Sequence, residues 1–103
     1  MALLAEMEAD LFKALAHPIR IEILNLLAKE KLCVCEIYEE LGQSQSNISQ
    51  HLNKLKQNKL VTSKKEGLQV YYSLQNKKIV KVINLVEKII SEQIEETKKE
   101  LDS

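Results

Sequence analysis

The stretch SQSNISQHLNKLKQN, from Ser44 to Asn58, decides the fold of this 103-residue chain. At about 100° per residue, Ile48, Leu52 and Leu55 share a narrow arc of a helix, which predicts a buried face. Ser44 or Ser46 can cap its start. The opposite face is rich in amides and hydroxyls: Ser46, Gln50, Asn53 and Gln57, with Ser49 and Lys54 on its flanks. A face with hardly any acid suits a helix that offers donors and acceptors to DNA base edges.

Three helices are predicted before this stretch. Leucines and methionine repeat every four residues from Leu3 to Leu15, which indicates an amphipathic first helix. His17-Pro18 ends it, and Pro18 suits the first position of a second helix that runs to about Ala28. A short third helix is predicted from Glu36 to Leu41, with Gly42 ending it in a left-handed conformation.

A hairpin and a long helix are predicted after the stretch. Leu60 to Lys65 and Val70 to Leu74 are β-branched and aromatic runs around Glu66-Gly67, typical of a hairpin. Asn76 caps a final helix from about Lys77 towards Glu100. Its apolar residues span roughly 220° of the helical wheel, about twice the stripe that packing on one core requires. The excess predicts a second partner, namely the last or first helix of a second subunit.

These elements together predict a mostly α (α+β) winged helix-turn-helix. It has about five helices and a two-stranded β-hairpin wing, and it forms a homodimer through its first and last helices. Residues 1–103 are expected to form a single DNA-binding and dimerisation domain. The chain is 45% hydrophobic with only 4% aromatic residues and few Gly and Pro, which favours a globular, mainly helical fold.

The zero net charge hides a segregated distribution. Residues 43–81 hold eight lysines and one acid, Glu66, whereas the remainder holds seven basic and fourteen acidic residues. Such a localised positive region matches a phosphate-binding footprint, although a solvated lysine-rich face gives the same pattern. No apolar run approaches the roughly 20 residues of a membrane span, and no secretory leader is visible. A cytoplasmic protein with reduced thiols is therefore expected.

Four motifs in this order carry a family resemblance: FKALAHPIRIEIL from Phe12 to Leu24, LCVCEI from Leu32 to Ile37, SQSNISQHL from Ser44 to Leu52, and QVYYSL from Gln69 to Leu74. With them the chain resembles, along nearly its whole length, the ArsR/SmtB family of metal- and metalloid-responsive repressors. The resemblance implies a homodimer that binds a pseudo-palindromic operator, represses a resistance or efflux operon, and leaves the DNA when its inducer binds.

The resemblance also assigns DNA contacts. Four polar residues in the first half of the central helix would reach the major groove: Gln45, Ser46, Ser49 and Gln50. Three lysines, Lys54, Lys64 and Lys65, would hold phosphates and set the salt dependence of binding. His51, beside the buried Leu52, is interpreted first as a packing and positioning residue, with DNA contact second and metal ligation third. His17, next to Pro18, is interpreted as a helix-start residue rather than a ligand.

The cysteine pair Cys33 and Cys35 is the predicted inducer site. Thiolates select arsenic(III) and antimony(III), expected first, and cadmium and lead, expected next; zinc is a further possible soft divalent ion. Residues i and i+2 of a regular helix point about 200° apart, so the two thiols can share one ion only where the segment is extended or distorted. No obligatory cofactor is expected.

The set of thiols departs from the family pattern. Tyr38 stands where related arsenic sensors have a third cysteine, and Met1 to Ala16 lacks the cysteines of the cadmium and lead sensors. Either two thiolates suffice, with or without a small exogenous thiol, or the partner subunit supplies a third ligand. The last helix has no histidine, which argues against the family's other metal site.

Other functions fit less of the sequence. A thiol redox- or persulfide-responsive repressor is the first alternative, and a protein-interaction module without a ligand is the second. An interaction module explains the apolar last helix but neither the amide-rich face nor the segregated lysines. An enzyme is not expected, because no glycine-rich phosphate loop or nucleophile motif is present.

Overall fold

A computed structural model describes residues 2–102 of the chain. Within this range it contains five helices and three short strands. In chain order they are α1 (Ala2–Leu15), α2 (Pro18–Leu27), β1 (Leu32–Cys33), α3 (Val34–Leu41), α4 (Gln45–Gln57), β2 (Val61–Glu66), β3 (Gln69–Leu74) and α5 (Lys78–Asp102). The predicted order of helices around a hairpin is confirmed.

The core lies between α2, α3, α4 and the first residue of β2. The predicted inner arc of α4 is confirmed, because Ile48, Leu52 and Leu55 are each 0% exposed. They pack with Ile23, Leu24, Ile37 and Val61, which are also fully buried. Ser44 is the residue that caps α4, with its hydroxyl accepting from the Asn47 N–H at 3.1 Å.

The wing differs from the predicted two-stranded hairpin by one strand. Its antiparallel sheet has the order β1-β3-β2, in which Leu32 pairs with Tyr72 and Cys33 with Tyr71. The predicted β2–β3 hairpin itself is present, and its loop is Gly67-Leu68 with a φ of +64° at Gly67. That value suits the glycine at the first position of a type II′ turn. Strand β1 has only two residues, which are too few to form an alternating pattern, so it is not predictable from the sequence.

Helix α3 begins at Val34, two residues earlier than predicted. Cys33 is extended (φ −79°, ψ 162°) and acts as its N-cap. Its sulfur accepts from the Glu36 N–H at 3.4 Å, and the Glu36 carboxylate accepts from the Cys33 N–H at 3.1 Å. This is a capping box with cysteine in the place usually taken by serine or threonine. The C-terminal end of α3 is as predicted, because Gly42 follows the helix in the left-handed conformation with a φ of +63°.

Lys59, just after α4, is the one non-glycine residue with positive φ (59°) among residues 2–102. Its N–H donates to the Lys56 carbonyl, and the Leu60 N–H donates to the Leu55 carbonyl at 3.0 Å. These bonds form a Schellman motif, whose left-handed position glycine fills without steric cost. Lys59→Gly is therefore expected to raise the free energy of unfolding by about 0.5–1 kcal/mol.

Chemical denaturation measures the free energies of unfolding of the Lys59→Gly and Gly42→Ala variants, and their comparison tests this interpretation of the helix ends. Gly42 occupies the corresponding left-handed position after α3, so its replacement is expected to destabilise by about 1 kcal/mol. Effects of the same sign in the two variants would contradict the account.

Helices α1 and α5 leave apolar side chains in solvent. On α1, Phe12 is 57% and Met7 61% exposed; on α5, Ile90 is 50% and Leu85 61% exposed. Only Ile79 and Ile83 of α5 are buried. This agrees with the prediction that some apolar residues of this helix pack on the core of their own subunit while the others remain available to a second partner. Between α1, α2 and α5 lies a groove of about 420 Å³ with apolar walls, including Phe12, Ile21, Val86 and Ile90.

Candidate DNA-binding surface and cysteine pair

Helix α4 presents its polar face outward. Gln45, Ser46, Gln50 and Lys54 are exposed, and Ser49 is half-buried. Gln45 and Ser46 form the first turn, where free N–H groups and the positive end of the helix dipole favour a negatively charged partner. The α4 residues predicted from the sequence therefore share one accessible surface.

Lys64 and Lys65 lie exposed on β2, across from Tyr71 and Val70. Lys56 Nζ donates to Ser63 Oγ at 2.7 Å, which ties the second half of α4 to β2. This bond adds to the packing of α4 against β2. The turn beyond the lysines ends in Leu68, which is 96% exposed and was not singled out in the sequence, although an apolar residue after a turn glycine is a readable signal.

Glu66, the one acid of the basic segment, is paired. Lys31 Nζ donates to Glu66 Oε1 at 2.8 Å, and the same ammonium lies 5.5 Å from the centre of the Tyr71 ring. The hydrogen bond from Lys31 lowers the pKa of the Glu66 carboxyl. Because its charge is compensated, Glu66 does not offset the lysines of the wing. Lys31 has no motif around it, and its role could not be read from the sequence.

The Cys33–Cys35 pair lies where β1 turns into α3. Because Cys33 is extended and Cys35 is in the first helical turn, the two sulfur atoms come together, and they form a disulfide with a Cα–Cα distance of 5.4 Å. This meets the geometric condition set out above for two thiols to reach one ion. Cys33 is buried at 3% exposure, whereas Cys35 is half-buried and thus the more accessible sulfur.

A third protein ligand does not join the pair. Within residues 2–102 no group of three or more His, Cys, Asp or Glu side chains could hold a metal ion. The Glu36 carboxylate, the nearest acid in sequence, is engaged by the Cys33 N–H. Tyr38 packs against the core. When reduced, the chain therefore offers two thiolates, which fits a soft ion that takes its remaining ligands from elsewhere.

The two histidines lie together on the inner side of α4. His17 caps α2, with its Nδ1 accepting from the Ile19 N–H at 3.1 Å, which confirms its interpretation as a helix-start residue. Its ring centre is 4.2 Å from that of His51. His51 is 8% exposed, and its Nδ1 accepts from Arg20 Nε at 3.1 Å. Burial, then the nearby His17 and Arg20, lowers the pKa of His51.

Residues 2–102 contain no helix that is both long and apolar enough to cross a membrane.

Comparison with known proteins places these features in one class, the winged-helix transcriptional regulators. The model of the arsR family of bacterial regulatory proteins matches residues 17–63. The transcriptional repressor PagR of Bacillus anthracis is 41% identical over 85 residues, which are 82% of this chain and 85% of PagR. The chain belongs to the ArsR family. As expected, its relatives are DNA-binding regulators and not enzymes.

Two further relatives carry metal resistance in their names. The arsenical resistance operon repressor of Staphylococcus xylosus is 39% identical over 66 residues, 64% of each chain. The cadmium resistance regulatory protein CadC of Listeria innocua is 40% identical over 77 residues, 74% of this chain and 62% of CadC.

Solved structures support the fold. NolR from Sinorhizobium fredii superposes with a TM-score of 0.79 at 34% identity, over 85% of this chain and 88% of NolR. A homodimeric winged helix-turn-helix DNA-binding domain from Mycobacterium bovis has a TM-score of 0.79 at 32% identity, over 88% and 84% of the two chains. The predicted winged helix-turn-helix is thereby confirmed.

Proposed function

We propose that this chain is a homodimeric repressor that binds operator DNA through α4 and the wing, and that it releases the operator when a thiophilic metal or metalloid binds Cys33 and Cys35. Arsenite or antimonite is the first choice of inducer, and cadmium or lead the second. The observation that carries the proposal is the position of Cys33, which belongs to the wing sheet and caps α3 at the same time.

The surface of α4 and the wing supports DNA binding. Gln45, Ser46, Ser49 and Gln50 would read base edges in the major groove, since amides and hydroxyls can both donate and accept. Lys54, Lys64 and Lys65 would contact phosphates and contribute affinity without sequence preference. Double-stranded DNA is the partner with which this arrangement of donors and cations agrees.

The apolar surface of α1 and α5 supports a homodimer. Contiguous exposed apolar patches of this kind are characteristic of protein–protein interfaces, and the M. bovis neighbour is described as homodimeric. A two-fold dimer would present two copies of α4, which read half-sites separated by one helical turn, roughly 34 Å. A pseudo-palindromic operator follows from that symmetry.

The cysteine pair supports an inducer that prefers sulfur. The names of the S. xylosus and L. innocua relatives indicate arsenic and cadmium as candidates. With two protein thiolates, a three-coordinate ion such as arsenic(III) lacks only one ligand, which a small exogenous thiol or a residue of the partner subunit would supply. Zinc is disfavoured, because structural zinc sites use four protein ligands.

Two routes lead from Cys33 to the DNA-binding surface. One runs through α3, which packs against α4; the other runs through β1, whose pairing with β3 holds the wing. An ion on the Cys33 sulfur competes with its bond to the Glu36 N–H, and loss of an N-cap costs about 0.5–2 kcal/mol. Allosteric couplings are typically about 1–3 kcal/mol, so this one contact is of the required size.

Cys33→Ser tests the proposal without sacrificing the fold. Serine is a better N-cap than cysteine, so we expect the variant to fold and to bind operator like the parent chain. Arsenite should weaken operator binding of the reduced parent about 10-fold or more and leave Cys33→Ser unaffected. The measurement is fluorescence anisotropy of a duplex from the chain's own promoter region, with thiolate-to-metal absorption followed in parallel.

Cys35→Ser is the matched partner variant in this experiment. It lacks the second thiolate and leaves the Cys33 cap in place, so it is also expected to lose the arsenite response. A parent-like arsenite response in both variants would exclude the pair as the inducer site.

A second candidate function is redox control, favoured by the disulfide between Cys33 and Cys35. A peroxide would oxidise one thiolate to a sulfenic acid with release of water or an alcohol. The second thiolate would then displace hydroxide from that sulfur, forming the S–S bond. Peroxide would in this case alter operator binding with no metal present, and a dithiol reductant would reverse the change. An unaltered affinity after complete oxidation of the pair would exclude this candidate.

A further inference from the structure

We propose that Arg20 and His51 are positioning residues for helix α4, and that the chain binds its operator with His51 neutral and loses affinity on acidification. This inference rests on the proposed operator binding through α4. It adds a determinant of operator affinity that lies on the inner side of α4, away from the DNA bases.

A single guanidinium joins three helices. Arg20, in the first turn of α2, donates from Nε to His51 Nδ1 on α4 at 3.1 Å. Its Nη1 donates to the Ala14 carbonyl oxygen near the end of α1 at 3.3 Å. Arg20 therefore fixes α4 relative to α2 and also relative to α1, whose apolar surface is assigned to the dimer.

His51 lies at the boundary between the core and the polar face of α4. The next residue, Leu52, is 0% exposed, and the preceding one, Gln50, is exposed. Arg20 and His51 also form the floor of a groove whose remaining walls are polar α4 residues, namely Gln50, Asn53, Lys54 and Gln57. Movement of the His51 ring would therefore displace Gln50 and Lys54, the two groove residues that are assigned to DNA.

The hydrogen bond defines the protonation state of His51. A guanidinium can only donate, so Nδ1 must be unprotonated to accept from Arg20, and the imidazole is neutral with its proton on Nε2. Protonation of Nδ1 would remove the acceptor and place a second positive charge 3.1 Å from Arg20 Nε. The bond and the cationic ring cannot coexist.

The surroundings of His51 disfavour the cation. The titratable or charged groups near it are His17 at the N-cap of α2, Arg20 of α2 and Lys54, which lines the same groove, and no acid lines that groove. Consistently, burial, and then His17 and Arg20, lower the pKa of His51. A histidine with a lowered folded-state pKa keeps its stabilising contribution above its unfolded pKa and loses it as the pH falls towards the folded value. Proton uptake by the folded, DNA-free chain opposes operator binding in the same way, so the affinity should fall as the pH drops from about 6.5 towards the lowered pKa of His51.

The sign of this effect distinguishes positioning from direct contact. A histidine that touches a phosphate binds more tightly when protonated, so acid would strengthen DNA binding. For a positioning His51 in each of the two subunits, we expect the affinity at about pH 5 to be roughly 10-fold lower than at about pH 7.5. The slope of affinity against salt should be the same in His51→Asn and the parent, because no phosphate contact is lost.

The test is operator binding against pH in the Cys33→Ser background under reducing conditions, which removes the Cys33–Cys35 pair and its disulfide. The probe is the promoter duplex, and circular dichroism at each pH verifies the fold. His51→Asn supplies a non-titrating acceptor for Arg20, so we expect it to keep the affinity at neutral pH and to give a flat pH profile. His17→Asn preserves the α2 cap and serves as the control, in which acid sensitivity is retained.

Arg20→Lys and Arg20→Gln complete the series. Both break the connection between Nε and Nδ1, so both are expected to weaken binding at neutral pH and to reduce the acid sensitivity. A parent that binds more tightly in acid, or an acid sensitivity that persists in His51→Asn, would overturn the proposal. If the parent binds no promoter duplex at neutral pH, the proposed function fails instead, so the two failures are distinguishable.

Discussion

Gln50→Ala is expected to weaken operator binding about 30-fold or more while leaving the fold and the dimer intact. Gln50 is exposed on α4, and its side chain makes no intramolecular hydrogen bond within residues 2–102. A bidentate amide–base pair contributes about 1–3 kcal/mol of discrimination, and a two-fold dimer makes the contact twice. The combined loss of about 2–6 kcal/mol corresponds to at least that 30-fold change.

Gln57→Ala is the matched control for this prediction. Gln57 is the last residue of the same helix and is also exposed, but it lies three turns from the end that enters the groove. Anisotropy titrations of both variants against promoter and scrambled duplexes measure the effect. An equal loss on both duplexes for Gln50→Ala would show that this side chain contacts the backbone rather than a base.

Ile90→Glu is expected to separate the dimer and to lower operator affinity about 100-fold or more. Ile90 is 50% exposed and lines the apolar groove between α1, α2 and α5. A carboxylate there would have to be buried without a partner when the subunits associate, at a cost of several kcal/mol. A monomer keeps one reading helix and loses the effective concentration that the second supplies, commonly a factor of about 10²–10⁴.

Sedimentation measures the dimer, and anisotropy measures the DNA complex. Asn84→Glu adds the same charge at an exposed polar position of α5 that does not line the apolar groove, and it should leave both properties unchanged. A dimeric Ile90→Glu would place the subunit interface elsewhere on the molecule.

Much of the fold could be predicted from the sequence because its signals are local. The spacing of Ile48, Leu52 and Leu55 identified the buried side of α4, and Pro18 and Gly42 marked the helix boundaries correctly. The excess apolar width of α5 also predicted the surface that the fold leaves exposed. These features depend on helical periodicity and on backbone preferences of single residues, which a sequence displays directly.

The missed features depend on contacts between distant residues. The pairing of Leu32 with Tyr72 and the bond from Arg20 to His51 join positions that no short pattern connects. Cys33 as an N-cap was missed because the preference at that position favours serine, threonine and asparagine, so a cysteine there is not a recognised signal. The polar face of α4 was evident from the sequence; the polar contacts that hold its inner side were not.

Operator binding and its release through the Cys33–Cys35 pair can be followed in one experiment. A labelled promoter duplex is titrated first with the reduced protein at low salt and then with arsenite, cadmium or lead, and its fluorescence anisotropy is recorded. We expect saturable binding, followed by release at about one equivalent of inducer per cysteine pair. Absence of binding at low salt, or a complex that none of the three inducers dissociates, would refute the proposed function.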